Sequence, residues 1–394
     1  MRALLRTVRY QLLHKDKHTS ARRGRLTTPH GTVELPTFMP VGTAGSVKAM
    51  LPEEVASTRA QIVLGNTYHL LLRPGHDLVK RLGGLHRFMG WDQTILTDSG
   101  GFQVLSLKDL RTITEEGVAF RSPYDGRKHM LSPELSIEIQ EALGTDIAMA
   151  FDECPPADAE RDYVQRSMDR TTRWLQRCQD ARKHPDKTSM FGIVQGGVYE
   201  DLRREHAEQV LAHDLDGYAI GGVAIGESKE DMLRVVNSST GLLPEDRPRY
   251  LMGVGLPYDL VAAVSAGIDM FDCVVPTRNA RTGRIFTSNG IVVVKNASNR
   301  EDSRPLDENC GCPTCQRFSR AYIRHLWTSG ELLVHRLTTM HNLWFFGQLM
   351  ARIRSAIETD TMAELLREVT AGPYGPTATK KQPAASPGDE QPRP

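Results

Sequence analysis

The chain has 394 residues, 40% hydrophobic and 25% charged, with a formal net charge of +1. That balance is the one expected of a globular protein with room for one large domain or two ordinary ones, and it excludes a strongly basic chain. There is no N-terminal apolar segment of signal-peptide type and no run of 18 apolar residues, so the expectation is a cytoplasmic protein with no membrane association.

The first residues, to about Arg25, carry a basic run (Arg22, Arg23, Arg25) and suit an edge hairpin. Short apolar runs then alternate with amphipathic stretches. The runs are Leu35–Val41, Gln61–Asn66, Thr94–Asp98, Asp146–Asp152, Ser189–Gln195, Gly217–Gly222, Arg249–Gly253 and Asp269–Val275. Helical spacing fits Pro52–Arg59, Pro133–Leu143, Arg161–Ala181, Glu200–Ala212, Lys229–Asn237 and Pro257–Ala266, several opened by Ser or Pro. Eight such alternations predict a (β/α)₈ TIM barrel, with a doubly wound open sheet as the alternative that periodicity leaves open. Two insertions interrupt the pattern: Ser106–Leu131, with a Ser-Pro-Tyr-Asp-Gly turn, and a cysteine-bearing segment after the eighth strand. The expected division is a barrel with its N-terminal hairpin over 1–295 and a metal-binding subdomain with a closing helix over 296–358. A short end over 359–370 follows, then a tail over 371–394. From Ala371 the chain has six Pro and three Gly and few large apolar groups, so this tail is expected to be disordered.

In a parallel barrel, chemistry sits where strands end. The third, fourth and eighth runs reach Asp98, Asp152 and Asp272, the fifth reaches Gln195, and the sixth ends in Gly221-Gly222. Alternation places Met270 with Asp272, and Ala148 and Ala150 with Asp152, facing the pocket; Ile147, Met149 and Phe151 would then pack on helices. One such Asp suits a cap or a solvated loop. Three at one rim repel one another and are costly to desolvate without a task. The turns Asp98-Ser99-Gly100-Gly101-Phe102 and Gly221-Gly222-Val223 would let a flat ligand approach main-chain N–H groups. Phosphate cradling is the alternative, but neither turn has the spacing of a phosphate-binding loop or a nearby Lys or Arg.

Cys310, Cys312, Cys315 and His341 form the sharpest local signal. Three thiolates within six residues and one imidazole on a helical stretch (His341 to Met350) suit a closed tetrahedral zinc site, hence one structural Zn²⁺ per chain. A disulfide framework fails because Cys310 and Cys312 pair poorly and three cysteines leave one over. Between Pro276 and His325 there are nine Lys or Arg against four Asp or Glu, which suits a nucleic-acid footprint or an ordinary solvated face.

Several longer motifs carry a family resemblance: Ile95-Leu-Thr-Asp-Ser-Gly-Gly-Phe-Gln, Phe151-Asp-Glu-Cys-Pro, Phe191-Gly-Ile-Val-Gln-Gly-Gly-Val, Ile220-Gly-Gly-Val-Ala, Met270-Phe-Asp-Cys-Val-Val-Pro-Thr-Arg-Asn-Ala-Arg and Asp302-Ser-Arg-Pro-Leu-Asp. From about Arg22 to Glu358 the chain is similar to bacterial tRNA-guanine transglycosylases. The resemblance implies a (β/α)₈ barrel with an inserted zinc-binding subdomain. It implies exchange of the wobble guanine in the anticodon loop of Asp, Asn, His and Tyr tRNAs for a free 7-deazaguanine base, on the way to queuosine. By the same resemblance Asp272 is the nucleophile and Asp98 the general acid/base. Asp152, Gln195 and Gly222 bind the base edge, beside Ser99, Gly100 and Gly101. Phe102 and Met252 sandwich the ring, and the Val223 carbonyl meets the 7-substituent with Glu227 behind it. Gly253, Val254, Gly255, Leu256, Pro257, Tyr258 and Asp259 match one RNA-contacting loop; Thr277, Arg278, Asn279, Ala280 and Arg281 match a second. A homodimer holding one tRNA is implied too. Phe102 stands where some members have Tyr, and Leu256 where Lys is frequent. Ile225 and Cys154 imply 7-aminomethyl-7-deazaguanine rather than the bulkier queuine. A non-catalytic tRNA-binding subunit should have lost Asp98 and Asp272, and a zinc hydrolase needs a His cluster at the strand ends. Neither condition is met.

Overall fold

The computed structural model describes residues 7–105 and 111–376. Eight parallel strands close on themselves. They are β1 in two pieces (Thr37–Met39 and Val41–Gly42), β2 Ile62–Gly65, β3 Thr94–Thr97, β4 Ile147–Met149, β5 Ser189–Val194, β6 Gly217–Ile220, β7 Arg249–Leu251 and β8 Met270–Asp272. Pro40 interrupts β1, so its first piece pairs with β8 and its second with β2, which closes the barrel. All eight lie within or beside the runs read from sequence. The open-sheet alternative is excluded by the β1–β8 pairing.

Two apolar layers hold this arrangement. Met39, Ile62, Leu64, Leu96, Ile147, Met149, Phe191, Ile193, Tyr250 and Met270 fill the barrel interior, and the surrounding helices bury a second layer against its outer surface. Ile147 and Met149 therefore point inward, contrary to the alternation expected for the fourth run. The ladder of β4 stops at Met149, so the phase cannot be carried back from Asp152. Phe151 does pack outward, its ring 4.8 Å from that of Trp174. The eighth run behaves as expected, with Met270 inside and Phe271 outside. It ends at Asp272, however, and Val275–Arg281 is a helix with Pro276 in its first turn, where the missing N–H costs nothing.

An antiparallel sheet of Arg9–Lys15, Arg22–Thr28 and Gly31–Leu35 covers the N-terminal end of the barrel, and Leu26, Val33 and Leu35 join the interior cluster. Three carboxylates organise that end. Asp146 accepts from the Ile95 N–H, Asp216 from Met190 N–H and Asp269 from Arg249 N–H, each tying the start of one strand to its neighbour. Asp269 is also paired with buried Arg22. The part of the first insertion that is described forms an antiparallel sheet of Arg111–Ile113, Val118–Arg121 and Lys128–Leu131; residues 106–110 lie outside the described residues.

After the barrel come a hairpin (Arg284–Thr287, Gly290–Val293), two short helices and the helix Leu333–Glu358. That helix starts well before the stretch expected from sequence. Residues Ala371–Pro376, expected to be disordered, are placed. Tyr374 is buried among Phe286 and Phe345, and its hydroxyl bonds the backbone of Thr287. This short, Pro-rich piece continues from the helix Met362–Ala371 and is anchored by the aromatic ring with its satisfied hydroxyl. Residues 377–394, the rest of the expected tail, lie outside the described residues.

Candidate active site and metal centre

Asp98 follows β3 and is held by donors from the turn after β2. Asn66 Nδ2 donates to Oδ2 at 2.5 Å and the Thr67 N–H to Oδ1 at 2.8 Å; Gly100 N–H reaches Oδ1 at 3.2 Å. Asn66 is locked in turn as the N-cap of Thr67–Leu72, its Oδ1 accepting from His69 N–H. Burial lifts the Asp98 pKa to about 7 despite these donors, and the nearby Asp272 charge adds to the rise.

Asp272 closes β8. Tyr250 donates its hydroxyl to Oδ1 at 2.6 Å, and Gly253 N–H reaches the same oxygen at 2.9 Å. Both bonds engage Oδ1, so Oδ2 is the oxygen left to meet a reactant. Burial raises this carboxyl pKa too, and burial with the Asp272 charge holds the Tyr250 phenol well above its usual range, so it stays a donor.

Asp152 follows β4 and is buried. Its carboxylate accepts from Ser99 Oγ at 3.2 Å and Gln195 Nε2 at 2.7 Å, and burial pushes its pKa up to about 6. The backbone packed against Asp152 and Gln195 needs glycine. At Gly101 a Cβ would stand 2.8 Å from the Asp152 carbonyl, and at Gly222, with φ of 66°, it would stand 2.5 Å from Gln195 Oε1. That Oε1 is buried without a hydrogen-bond partner. Arg203, buried on the helix Glu200–Leu211, donates to the carbonyls of Gly197 and Gly221 and so fixes both glycine turns. Glu227 accepts from the N–H groups of Ala224 and Ile225 behind Val223. Met252 is half-buried against the interior cluster and Phe102 is 53% exposed.

The residues of the two expected RNA loops are unevenly accessible. Gly253 is exposed and Leu256 and Tyr258 partly so, whereas Val254, Gly255, Pro257 and Asp259 are buried, with Asp259 paired to Lys229 at 3.3 Å. In the second loop Arg278, Asn279 and Arg281 are partly exposed, Thr277 and Ala280 buried. Arg278 Nε is buried with no hydrogen-bond partner. Of the basic residues counted after Pro276, Arg304 and Arg320 are paired with Asp302, while Lys295, Arg300 and Arg317 are exposed.

Cys310, Cys312, Cys315 and His341 each offer one ligand atom, all within 4.8 Å of one another. His341 Nδ1 lies 3.1 Å from Cys315 Sγ and 3.5 Å from Cys312 Sγ. Its Nε2 lies 2.8 Å from the Phe286 carbonyl, which assigns the proton to Nε2 and frees Nδ1 as a ligand. Ligand atoms at about 2.0–2.3 Å from a tetrahedral ion stand roughly 3.5 Å apart, so the set fits a metal. Cys154, Cys178 and Cys273 are dispersed free thiols.

Asn66, Thr67, Tyr250 and Arg203 were not singled out from sequence. Thr67, Tyr250 and Arg203 act on other side chains or backbone, so no strand-end rule finds them; Asn66 ends the second run and offered the one usable signal.

The sequence matches the family described as "TGT: Queuine tRNA-ribosyltransferase" over residues 16–373. It is 55% identical over 368 residues to the queuine tRNA-ribosyltransferase of Caldanaerobacter subterraneus subsp. tengcongensis, covering 93% of this chain and 98% of that one. It is 58% identical over 361 residues to that of Halalkalibacterium halodurans, covering 92% and 95%. For Enterococcus faecalis the identity is 56% over 357 residues, 91% and 94% of the two chains. With most of its length matched at this identity, the chain belongs to the queuine tRNA-ribosyltransferase family.

Proposed function

We propose that this protein is a tRNA-guanine transglycosylase of queuosine biosynthesis. It replaces the wobble guanine of Asp, Asn, His and Tyr tRNAs with 7-aminomethyl-7-deazaguanine. The observation that carries this reading is the pairing, at one barrel rim, of a carboxyl with a pKa near 7 (Asp98) and a carboxylate with one oxygen left free (Asp272). Asp272 Oδ2 attacks ribose C1′ as the bond to guanine breaks, and the departing base takes the Asp98 proton. The incoming base then gives its proton to Asp98 and attacks C1′, releasing Asp272 and restoring the original configuration. Asp152 and Gln195 read the base edge, the unpartnered Gln195 amide oxygen marking where a donor is wanted. Phe102 and Met252 supply apolar faces for a base withdrawn from the anticodon loop. Gly253, Leu256, Tyr258, Arg278, Asn279 and Arg281 are the accessible members of the proposed RNA surface. Incubation with labelled guanine and unmodified tRNA tests the activity: label should enter the RNA, and none entering would end this reading. A homodimer in the cytoplasm is the working form we propose, on family resemblance; a light-scattering mass of one chain with tRNA bound would contradict it.

Zinc is the metal we assign to Cys310, Cys312, Cys315 and His341, because a closed thiolate-rich tetrahedral set is the structural zinc arrangement. When bound it supplies a crosslink between the cysteine loop and the helix Leu333–Glu358, and those residues bound a proposed subdomain over 296–358. Cys312→Ser or prolonged chelation should lower the melting temperature and weaken tRNA binding, since metal affinity in closed sites is folding free energy. Unchanged melting in metal-free protein would contradict the assignment.

Base choice rests on Ile225. Glu227 fixes the peptides of Ala224 and Ile225, so the branched side chain has little backbone freedom to withdraw from the space beyond the 7-substituent. Overpacking costs roughly 1–3 kcal/mol, which gives about a 5- to 150-fold preference for the aminomethyl base over queuine. Competition between the two bases for one tRNA reads this ratio. Ile225→Gly should move it toward queuine, and equal incorporation by the unaltered protein would refute the idea.

A further inference from the structure

Arg22 and Arg203 are both fully buried, yet they are satisfied in different ways. Arg22 meets the Asp269 carboxylate. Arg203 meets no carboxylate among the described residues, and every acceptor around it is a main-chain carbonyl. Its Nε donates to Gly197 at 2.7 Å, and its Nη2 to Gly221 at 2.9 Å and to Gly222 at 3.4 Å. Burial lowers its pKa to about 10, so it stays a cation at neutral pH. His206, one turn further along the same helix, adds no second charge. Burial and the Arg203 cation lower its pKa to about 3, and its Nδ1 accepts the Gln195 N–H at 2.7 Å. A cation buried without a counter-ion is costly, which points to a task beyond packing.

The two glycine carbonyls reveal that task. In a trans peptide the C=O and the N–H that follows it point opposite ways. With the Gly221 and Gly222 carbonyls on the guanidinium, the N–H groups of Gly222 and Val223 therefore face away from it. Gly222, with φ of 66°, supplies the left-handed residue that such a turn needs. The same turn lies against the Gln195 amide: a Cβ on Gly221 would stand 2.6 Å from Nε2, and Oε1 is unpartnered. Two successive N–H groups turned to one side make a concavity that favours negative charge.

We propose that Arg203 is a positioning residue for the departing base, aiming the Gly222 and Val223 N–H groups at its ring carbonyl oxygen and stabilising, from behind those peptides, the negative charge that oxygen gains. This rests on the transglycosylase reading above. As Asp272 Oδ2 bonds to ribose C1′, the C1′–N bond breaks and its electron pair passes into the base, in part onto the carbonyl oxygen, until the Asp98 proton neutralises it. Donors fixed before the reaction need no reorganisation when that charge develops.

The test compares guanine with 2-aminopurine, which is guanine without the ring carbonyl, as competitors of labelled-guanine entry into unmodified tRNA. Arg203→Met should lower kcat by about 10- to 100-fold with KM for tRNA little changed, and should cut the preference for guanine over 2-aminopurine by roughly tenfold. Arg203→Lys keeps the charge but has no fork to hold the Gly197 and Gly221 carbonyls together, so it should lose a smaller part of both. The preference is a ratio of two affinities in one preparation, so a role in folding alone leaves it unmoved. Arg203→Lys carries the test if Arg203→Met fails to fold. An unchanged preference in either variant would overturn the proposal. No label uptake by the unaltered protein would instead end the transglycosylase reading, and this inference with it.

Discussion

Asp272→Asn is expected to bind tRNA within a few-fold of the unaltered protein and to exchange guanine slower by about 10⁴-fold or more, the scale on which loss of a nucleophile is felt. The amide keeps an oxygen for the Tyr250 hydroxyl and the Gly253 N–H, so the pocket is preserved while the nucleophilic oxygen is gone. No protein–RNA adduct should survive on a denaturing gel. Tyr250→Phe is the companion variant. It removes one donor from Oδ1 and leaves the nucleophile in place, so its loss should be much smaller. Equal losses in the two variants would mean that Asp272 acts through its packing rather than its chemistry.

Asp98→Asn should slow exchange by roughly 10²–10⁴-fold, the contribution of a positioned acid/base. It should also change how stability depends on pH. Burial raises the Asp98 pKa from 3.8 to about 7, so the folded state binds this proton more tightly than the unfolded chain. The associated stability is fully present below about pH 4 and is lost as pH rises through 7, a term of up to about 4 kcal/mol. Removing the titrating group flattens that part of the profile. Relative to the unaltered protein, the melting temperature of Asp98→Asn should therefore be more favourable at pH 8 than at pH 4. A parallel pH profile in the two proteins would show that Asp98 is not held protonated by its site. Asp152 and Asp272 are raised as well, so the variant should keep a residual slope.

The barrel was legible because buried parallel strands are short apolar runs that end in polar residues, and the helices between them are long enough to show a period. Asp98, Asp152, Gln195 and Asp272 were legible for the same reason, each lying at or just past such an end. The phase of β4 was not, since Asp152 lies beyond the last ladder pair and alternation fails outside a ladder. Thr67–Leu72, His76–Arg81 and Gly84–Met89 are six residues each, below the length at which a helical period is visible. Leu333–Glu358 is buried over most of its middle, so it shows no polar face to mark its limits. Tyr374 illustrates a further limit: composition describes a segment's average, and one ring that finds a pocket overrides it. The three aspartates at the N-terminal barrel end show why residue type alone misleads. Asp146, Asp216 and Asp269 sit beside the same kinds of strands as the pocket aspartates, but they precede the strands and satisfy backbone N–H groups.

The most direct measurement is to quench the unaltered protein with denaturant during turnover on unmodified tRNA, digest the trapped adduct and map the modified peptide by mass spectrometry. The account predicts a ribose-linked increment on the peptide containing Asp272, discharged by added 7-aminomethyl-7-deazaguanine before the quench. An increment on the peptide containing Asp98, or guanine exchange at full rate with no trappable adduct, would contradict it.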